Sequence, residues 1–376
     1  MNREVKIEGI SAQENAALQA SKSTFFAAID KYIERNIVLP TEKDVKQCGY
    51  DMVEWGPNDM YPFYLMGLYK DSVTLHSIIS GCVDYLAGDD VVFSQEALAK
   101  GFTDAVNSTG ETPYDFMRNL GDDWFRYGGC AYQVIRDQNG DPREFYWIDM
   151  RYLRMNKDAS VFFYSEDFGK KYGRKDKMVV YPKFIIDAKE ATDSIVFIKN
   201  SHGSVYPEPL YGPAVKACEM ERGVDTYHLN SLQNGFAGSY VLNFMNGTPG
   251  DEIKKEIERD VKEKCCGPNN AGTVLVNFCQ DAAHRTVFDK MAIDDFGTKY
   301  ESLSKNSRQK IFTAFRANPN LFGIPTENLG FSSEEYESAF KLFNRTVIKP
   351  AQTIITKSIS KTLGISESLI ITPFSM

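Results

Sequence analysis

The chain has 376 residues, too long for one ordinary core and enough for two or three domains at roughly 150 residues each. Hydrophobic residues make up 43% and charged residues 25%, which excludes a wholly disordered chain. A formal net charge of -8 argues against a protein that grips nucleic-acid phosphates over a broad surface. No apolar run approaches the roughly 20 residues of a membrane helix, and Met1–Lys6 leads into no apolar signal segment, so neither a membrane span nor secretion is expected.

The first helix is predicted from Ser11-Ala12-Gln13-Glu14, a capping-box spacing, followed by Phe25, Phe26, Ile29, Tyr32 and Ile33 on one face. Leu39-Pro40 ends it, and residues 40–57 read as irregular. A helical block over about 62–87 carries Leu65, Leu68, Ile78, Ile79, Cys82 and Leu86 at spacings of three and four. Another helix, about 113–127, carries Phe116, Leu120, Trp124 and Tyr127.

From residue 130 the period changes. Ala131–Arg136 and Glu144–Ile148 are β-type runs around the turn residues Gln138-Asn139-Gly140-Asp141-Pro142. Val161–Tyr164, Met178–Tyr181 and Ser194–Ile198 add strands. Together they read as a mostly antiparallel sheet packed on the preceding helices, an α+β domain. After the Pro-rich joint Tyr206–Pro213, a long helix runs to about Asn234, since proline suits a first helical turn.

A compact strand–helix–strand unit follows. Its strands are Ser239–Phe244 and Thr273–Phe278, and its helix, 252–264, carries a single stripe of Ile253, Ile257 and Val261. Three large side chains contribute roughly 1.5–3 kcal/mol each on full burial. Ordering about forty residues costs about 1–2 kcal/mol per residue in backbone entropy, so this unit must lean on another surface, in this chain or a neighbouring copy. A further helix spans about Asp294–Phe315. Residues 316–330 read as a loop, with prolines, glycines and asparagines. Ser332-Ser333-Glu334-Glu335 caps the last long helix, which Pro350 is predicted to kink because proline lacks the amide donor and clashes with the preceding turn. The tail from Ser366 is short.

Little points to chemistry. The seven cysteines (Cys48, Cys82, Cys130, Cys218, Cys265, Cys266, Cys279) form no C-x-x-C spacing. The four histidines (His76, His202, His228, His284) lie far apart, so no metal is expected. An odd cysteine count fits thiols in a reducing compartment. Phosphate-cradling and dinucleotide glycine motifs are absent, and no cofactor is expected. Asp89-Asp90, Asp122-Asp123 and Asp294-Asp295 are acidic pairs. The enzyme alternative is a Mg²⁺-dependent nuclease or nucleotidyl transferase using Asp122 and Asp123. Against it, the first and last pairs suit helix ends, and Asp122-Asp123 suits a solvated helix face.

Several stretches in order resemble the portal proteins of tailed bacteriophages. They are Trp55-Gly56 followed by Asn58, Tyr61-Pro62, Leu65, Leu68, Ser72 and His76; Tyr206-Pro207-Glu208-Pro209-Leu210-Tyr211 before a long helix; Asn234-Gly235-Phe236, Asn246-Gly247, Pro249 and Asn270-Ala271-Gly272; Ile311–Phe315 through Leu321-Phe322-Gly323-Ile324; and Ile348-Lys349-Pro350-Ala351-Gln352. The run Arg316-Ala317-Asn318-Pro319 departs from the more apolar segment many portals carry there.

The resemblance implies an α+β portal-type fold with a helix/antiparallel-sheet wing, a stem of two helices, a small strand–helix–strand clip and a kinked C-terminal helix. The implied divisions are a helical N-terminal segment 1–49, a wing 50–208, a first stem helix 209–238 and a clip 239–280. A second stem helix 281–315, a tunnel loop 316–331, and a C-terminal helix with a short crown, 332–376, complete them. It implies a non-enzymatic ring, usually dodecameric, at one capsid vertex, assembled in the host bacterial cytoplasm. Its partners would be the major capsid protein, the terminase large subunit, a head–tail adaptor and double-stranded DNA in the channel, with no membrane. Arg316, Asn318, Asn320, Glu327 and Asn328 are the expected DNA-facing loop residues, and Ile253, Ile257 and Val261 the expected clip interface. A virion head protein that forms no DNA channel is the other alternative.

Overall fold

The structure, a computed structural model, describes residues 37–47, 50–168, 178–188, 193–201, 203–233, 240–244, 250–257, 274–278, 296–324 and 333–374. The chain divides into two compact units. The larger comprises residues 36–219 and 307–376, the smaller residues 1–35 and 220–306. The helix expected over residues 11–33 lies outside the described residues.

In the larger unit, helices α1 (Tyr61–Asp71) and α2 (Val73–Ala87) replace the single predicted block over 62–87. Ser72 separates them. Its backbone is extended, and its hydroxyl accepts from the Leu75 amide at 3.2 Å, capping α2. The predicted helix over 113–127 is present as Pro113–Tyr127 (α4 below). Thr112 and Asp115 form a reciprocal capping box at its start, and Phe116, Leu120, Trp124 and Tyr127 are buried as the spacing requires.

The strands are antiparallel but divide among separate sheets, where the sequence suggested one. β1 (Glu42–Gln47), β2 (Tyr50–Trp55), β6 (Leu153–Met155), β7 (Val161–Tyr164) and β8 (Val179–Pro182) form a five-stranded sheet in the order β1-β2-β6-β7-β8. β4 (Gly129–Arg136) is flanked by β5 (Pro142–Ile148) and β9 (Ser194–Lys199) in another. β1 and β2 correct the expectation of an irregular stretch over 40–57, and they pair across the expected 49/50 division between a helical segment and a wing. The charged run Glu42-Lys43-Asp44 carries no apolar alternation, yet it holds a sheet edge because β2 offers it a continuous ladder from Glu42↔Trp55 to Gln47↔Tyr50.

The C-terminal part begins with helix α6 (Phe296–Phe315), whose Ile311, Phe312 and Phe315 are buried. Two α-helical stretches follow, α7 (Ser333–Phe343) and α8 (Lys349–Leu363), joined by a five-residue π turn, Asn344–Ile348. The long helix is therefore interrupted immediately before Pro350, where the wider turn accommodates the ring that an unbroken α ladder would exclude. The tail does not stand apart as a small crown. Leu369–Thr372 (β12) returns to pair antiparallel with β3 (Asp90–Phe93), a strand the sequence reading missed. Glu96, in the short helix α3 (Gln95–Ala99), secures the return by accepting from the Ser366 hydroxyl at 2.6 Å and its amide at 2.8 Å. These bonds hold the carboxyl below its ordinary pKa. One continuous apolar core joins α1, α2, α4, the three-stranded sheet and α8.

In the smaller unit, β10 (Tyr240–Phe244) and β11 (Val274–Phe278) pair in parallel, from Tyr240↔Val274 to Phe244↔Phe278. A parallel pair requires a crossover, and residues 251–257 between the strands are helical. The predicted strand–helix–strand order is present, and the rest of the predicted helix, 258–264, lies outside the described residues. A long helix, α5 (Val215–Gln233), corresponds to the one predicted after the Pro-rich joint.

Candidate functional site

Two of the stretches that carried the resemblance, those beginning at Trp55 and at Tyr206, meet in the larger unit, and the one ending at Ile324 forms a second place there. Asn234-Gly235-Phe236, Asn246-Gly247, Pro249 and Asn270-Ala271-Gly272 lie outside the described residues. At the first, Trp55 stacks on Tyr206, with centroids 4.6 Å apart and planes 3° from parallel. The Tyr206 hydroxyl donates to the Val53 carbonyl and accepts from the Met155 amide at 3.2 Å. Burial pushes this phenol well above its ordinary pKa, so it stays neutral. Asp59 is fully buried, accepts from the Trp55 amide at 2.8 Å and pairs with the Arg154 guanidinium, which is also fully buried. Arg154 further donates to the carbonyls of Asp59 (2.9 Å), Leu153 (2.7 Å) and Arg151 (3.0 Å). Five residues beyond Tyr206, Tyr211 donates to the Arg126 carbonyl at 2.9 Å and stacks on Phe315 of α6 at 5.6 Å. The tyrosines of the Pro-rich joint thus fasten the start of α5 to the sheet on one side and to α4 and α6 on the other.

The acidic pair in α4 is divided between two environments. Asp122 is partly exposed and pairs with Arg126. Asp123 is fully buried, and its Oδ2 accepts from Trp147 Nε1 at 2.8 Å and the Met150 amide at 3.3 Å. The solvated-face reading is therefore corrected for Asp123. Burial, and then the nearby Asp149 carboxylate, raise its pKa well above the carboxylate range. A buried carboxyl bound to an indole and a backbone amide is a packing element, and it has no open side for a metal and substrate. Among the described residues, no group of three or more His, Cys, Asp or Glu side chains is placed to hold a metal ion. Cys82, Cys130 and Cys218 are buried thiols, and burial pushes the Cys82 pKa up.

The second meeting place is the segment after α6. The expectation of a loop from 316 is corrected for its first part. Arg316 takes a left-handed backbone (φ 55°), and the Ala317 amide donates back to the Phe312 carbonyl at 3.0 Å, which ends α6 in a Schellman turn. Pro319–Phe322 then form a 3-10 turn. Asn318 Oδ1 accepts from the Asn320 amide at 3.0 Å and caps it, so this acceptor serves the turn. Leu321 is buried, and its carbonyl accepts from the Tyr85 hydroxyl of α2 at 2.8 Å. Arg316 is exposed and Asn320 half-buried, while Glu327 and Asn328 lie outside the described residues. The signal that identifies the turn in sequence is Asn318-Pro319 before Leu321-Phe322-Gly323: a cap, a first-turn proline, an apolar pair and a left-handed terminator.

In the smaller unit, Ile253 is 53% exposed and Ile257 half-buried. Val261 lies outside the described residues.

With these features in place, the comparisons are specific. Residues 86–373 match the family described as phage portal protein. That is most of the chain, and the chain belongs to the phage portal protein family. No curated protein matches it. Among solved structures, it is similar to a chain of the virion of a native gene transfer agent particle, at 17% identity and TM-score 0.54, covering 88% of this chain and 85% of that one. A chain from the neck of an empty gene transfer agent particle, computed with C6 symmetry, is 15% identical at TM-score 0.55, with 87% and 85% covered. One from the neck of the native particle, computed with C12 symmetry, is 15% identical at TM-score 0.51, with 81% and 82% covered. These likenesses support the α+β portal-type fold.

Proposed function

We propose that this portal protein assembles as a closed ring, of about twelve copies as in the C12 neck it resembles, at one vertex of a phage head. The family match across residues 86–373 is the observation that carries the reading. The ring is the channel for DNA packaging and ejection. The wing meets the major capsid protein, and the clip docks the terminase large subunit during packaging and the head–tail adaptor afterwards. The chain performs no chemistry of its own, and the packaging ATPase is a separate partner. It assembles in the host cytoplasm and remains in the virion. The clip is assigned to strands β10 and β11 with the helix between them, and the stem to helices α5 and α6. A net charge of -8 suits a conduit, because a surface that neutralised many phosphates would hold DNA in place.

In the apolar stripe of the clip helix, Ile253 is 53% exposed among the described residues, which supports a neighbouring copy as its cover. Native mass spectrometry of the purified protein is expected to show a closed ring, and negative-stain images a central hole. Ile257→Asp places a charge in that stripe and is expected to abolish the ring or its adaptor binding while the larger unit stays folded. A monomer that cleaves DNA with Mg²⁺ would overturn the proposal, and normal rings with normal adaptor affinity from Ile257→Asp would overturn the clip assignment.

Of the expected DNA-facing residues of the tunnel loop 316–331, Arg316, Glu327 and Asn328 are the ones we assign to the channel. Asn318 and Asn320 belong to the anchored turn. Arg316 supports the reading because an exposed arginine in a left-handed conformation is a strained choice where glycine is usual, about 1–3 kcal/mol less favourable. Replacing residues 325–331 with a short Gly-Ser linker is expected to leave ring mass unchanged and to reduce the number of DNA-filled heads severalfold. Unchanged filling would remove these residues from the channel.

A further inference from the structure

We infer that Phe322 is a latch that sets where the channel loop leaves the protein, with Gly81 and Tyr85 of α2 as its socket. This rests on the channel-loop reading above for its functional consequence, but its geometry stands alone. Phe322 is the last residue of the 3-10 turn, immediately before the left-handed Gly323. Its ring lies edge-on to Tyr85 at 6.1 Å and to Phe343 of α7 at 5.7 Å, and tilted against Phe312 of α6 at 5.9 Å. One side chain therefore touches a helix before the loop, the helix after it, and a wing helix more than two hundred positions earlier in the chain.

The socket is built for that ring. α2 presents the buried side chains Ile78, Ile79, Cys82, Val83 and Leu86, and Gly81 is the gap among them. A Cβ on Gly81 would lie 2.7 Å from Phe322 Cε1 and 2.8 Å from Cδ1, far inside van der Waals contact. One turn along α2, Tyr85 donates its hydroxyl to the Leu321 carbonyl at 2.8 Å, so the same helix holds both the ring and the backbone beside it. Burial, then its hydrogen bond with Tyr336 of α7, raise the Tyr85 pKa and keep the hydroxyl a donor. The backbone bonds of the turn are short-range among the described residues, such as Leu321 to Asn318 (3.0 Å) and Ile324 to Pro319 (3.2 Å), and Leu321 is buried in the core. The latch adds the contacts that tie the turn to α2, α6 and α7 together. Movement of α2 moves the exit of the loop, which makes Gly81 and Tyr85 positioning residues for a channel they do not line.

The test uses assembled rings of the full chain and heads built with them. Gly81→Val fills the socket, Phe322→Ala removes the ring, and Tyr85→Phe removes only the hydroxyl. Hydrogen exchange of the peptide spanning 316–324 is expected to rise about tenfold in the first two and about threefold in Tyr85→Phe, while exchange across α4 is unchanged. DNA-filled heads are expected to fall in the same order with ring mass preserved. Should Gly81→Val fail to assemble, Tyr85→Phe carries the comparison, since it alters no volume in the core. Unchanged exchange over 316–324 in Phe322→Ala and Tyr85→Phe would overturn the latch. Raised exchange with normal head filling would support the latch as a structural fastening and overturn the channel-loop reading instead.

Discussion

Asp59→Ala is expected to destabilise the larger unit by about 3–5 kcal/mol, because it leaves the Arg154 guanidinium charged and buried without its counter-ion. Both partners are fully buried, and the remaining Arg154 bonds go to backbone carbonyls, which carry no net charge. The loss also frees the Trp55 amide that Asp59 accepts, at the point where Trp55 must lie flat on Tyr206. All three tryptophans of the chain, Trp55, Trp124 and Trp147, belong to this unit, so denaturant unfolding followed by tryptophan fluorescence reports on it selectively. Adding Arg154→Met to Asp59→Ala is expected to recover part of the loss, since it removes the unpaired buried charge while the Trp55 amide stays without its acceptor. A midpoint for Asp59→Ala within error of the unsubstituted protein would show that the pair contributes nothing.

Gly128→Ala is expected to cost about 3 kcal/mol or more by the same measurement. Gly128 ends α4 with φ 85°, and an added Cβ would lie 2.1 Å from the Glu208 carbonyl oxygen, a backbone atom that cannot step aside. Glu208 lies between Tyr206 and Tyr211, so relief of the clash must unseat the joint that both tyrosines fasten. The control is Gly110→Ala, where φ is 84° but no atom lies within 4 Å. It is expected to cost only the left-handed backbone strain, about 1 kcal/mol. Equal losses at the two positions would mean that the Glu208 contact does not constrain the joint.

Much of the local structure was legible. α4 was readable from the apolar stripe Phe116, Leu120, Trp124 and Tyr127, and the structure adds a capping box, a first-turn proline and a terminal glycine at its ends. β4 and β5 were readable because Asn139-Gly140 separates two runs of strand formers, and the structure pairs them from Ala131↔Ile148 onward. The interruption of the last helix was readable because a single proline acts on the turn preceding it, without help from elsewhere. β1 was not, since a charged edge strand exists only by virtue of its neighbour. β12 was not, because four residues carry no usable period and their partner is β3, nearly three hundred positions earlier.

The candidate site divided in the same way. Leu321-Phe322 between Asn318-Pro319 and Gly323 could be read as a turn, but nothing local says that its ring needs a glycine on α2. Asp122 and Asp123 are adjacent and chemically identical, yet one faces solvent beside Arg126 and the other is sealed beneath Trp147. Helical periodicity separates their directions by about 100° per residue, but only the packed sheet decides which direction is interior. Sequence alone determined most of the helices and of the strands between residues 130 and 199, the strand–helix–strand order and, through ordered motifs, the portal resemblance. These follow from backbone preferences and side-chain periods acting over a few neighbouring residues. Tertiary structure alone decided the division of strands among sheets, the burial of the Asp59–Arg154 pair across 95 positions, and the seat of Phe322. Those outcomes depend on desolvation and steric fit between segments remote in sequence, and neither quantity exists until the segments meet.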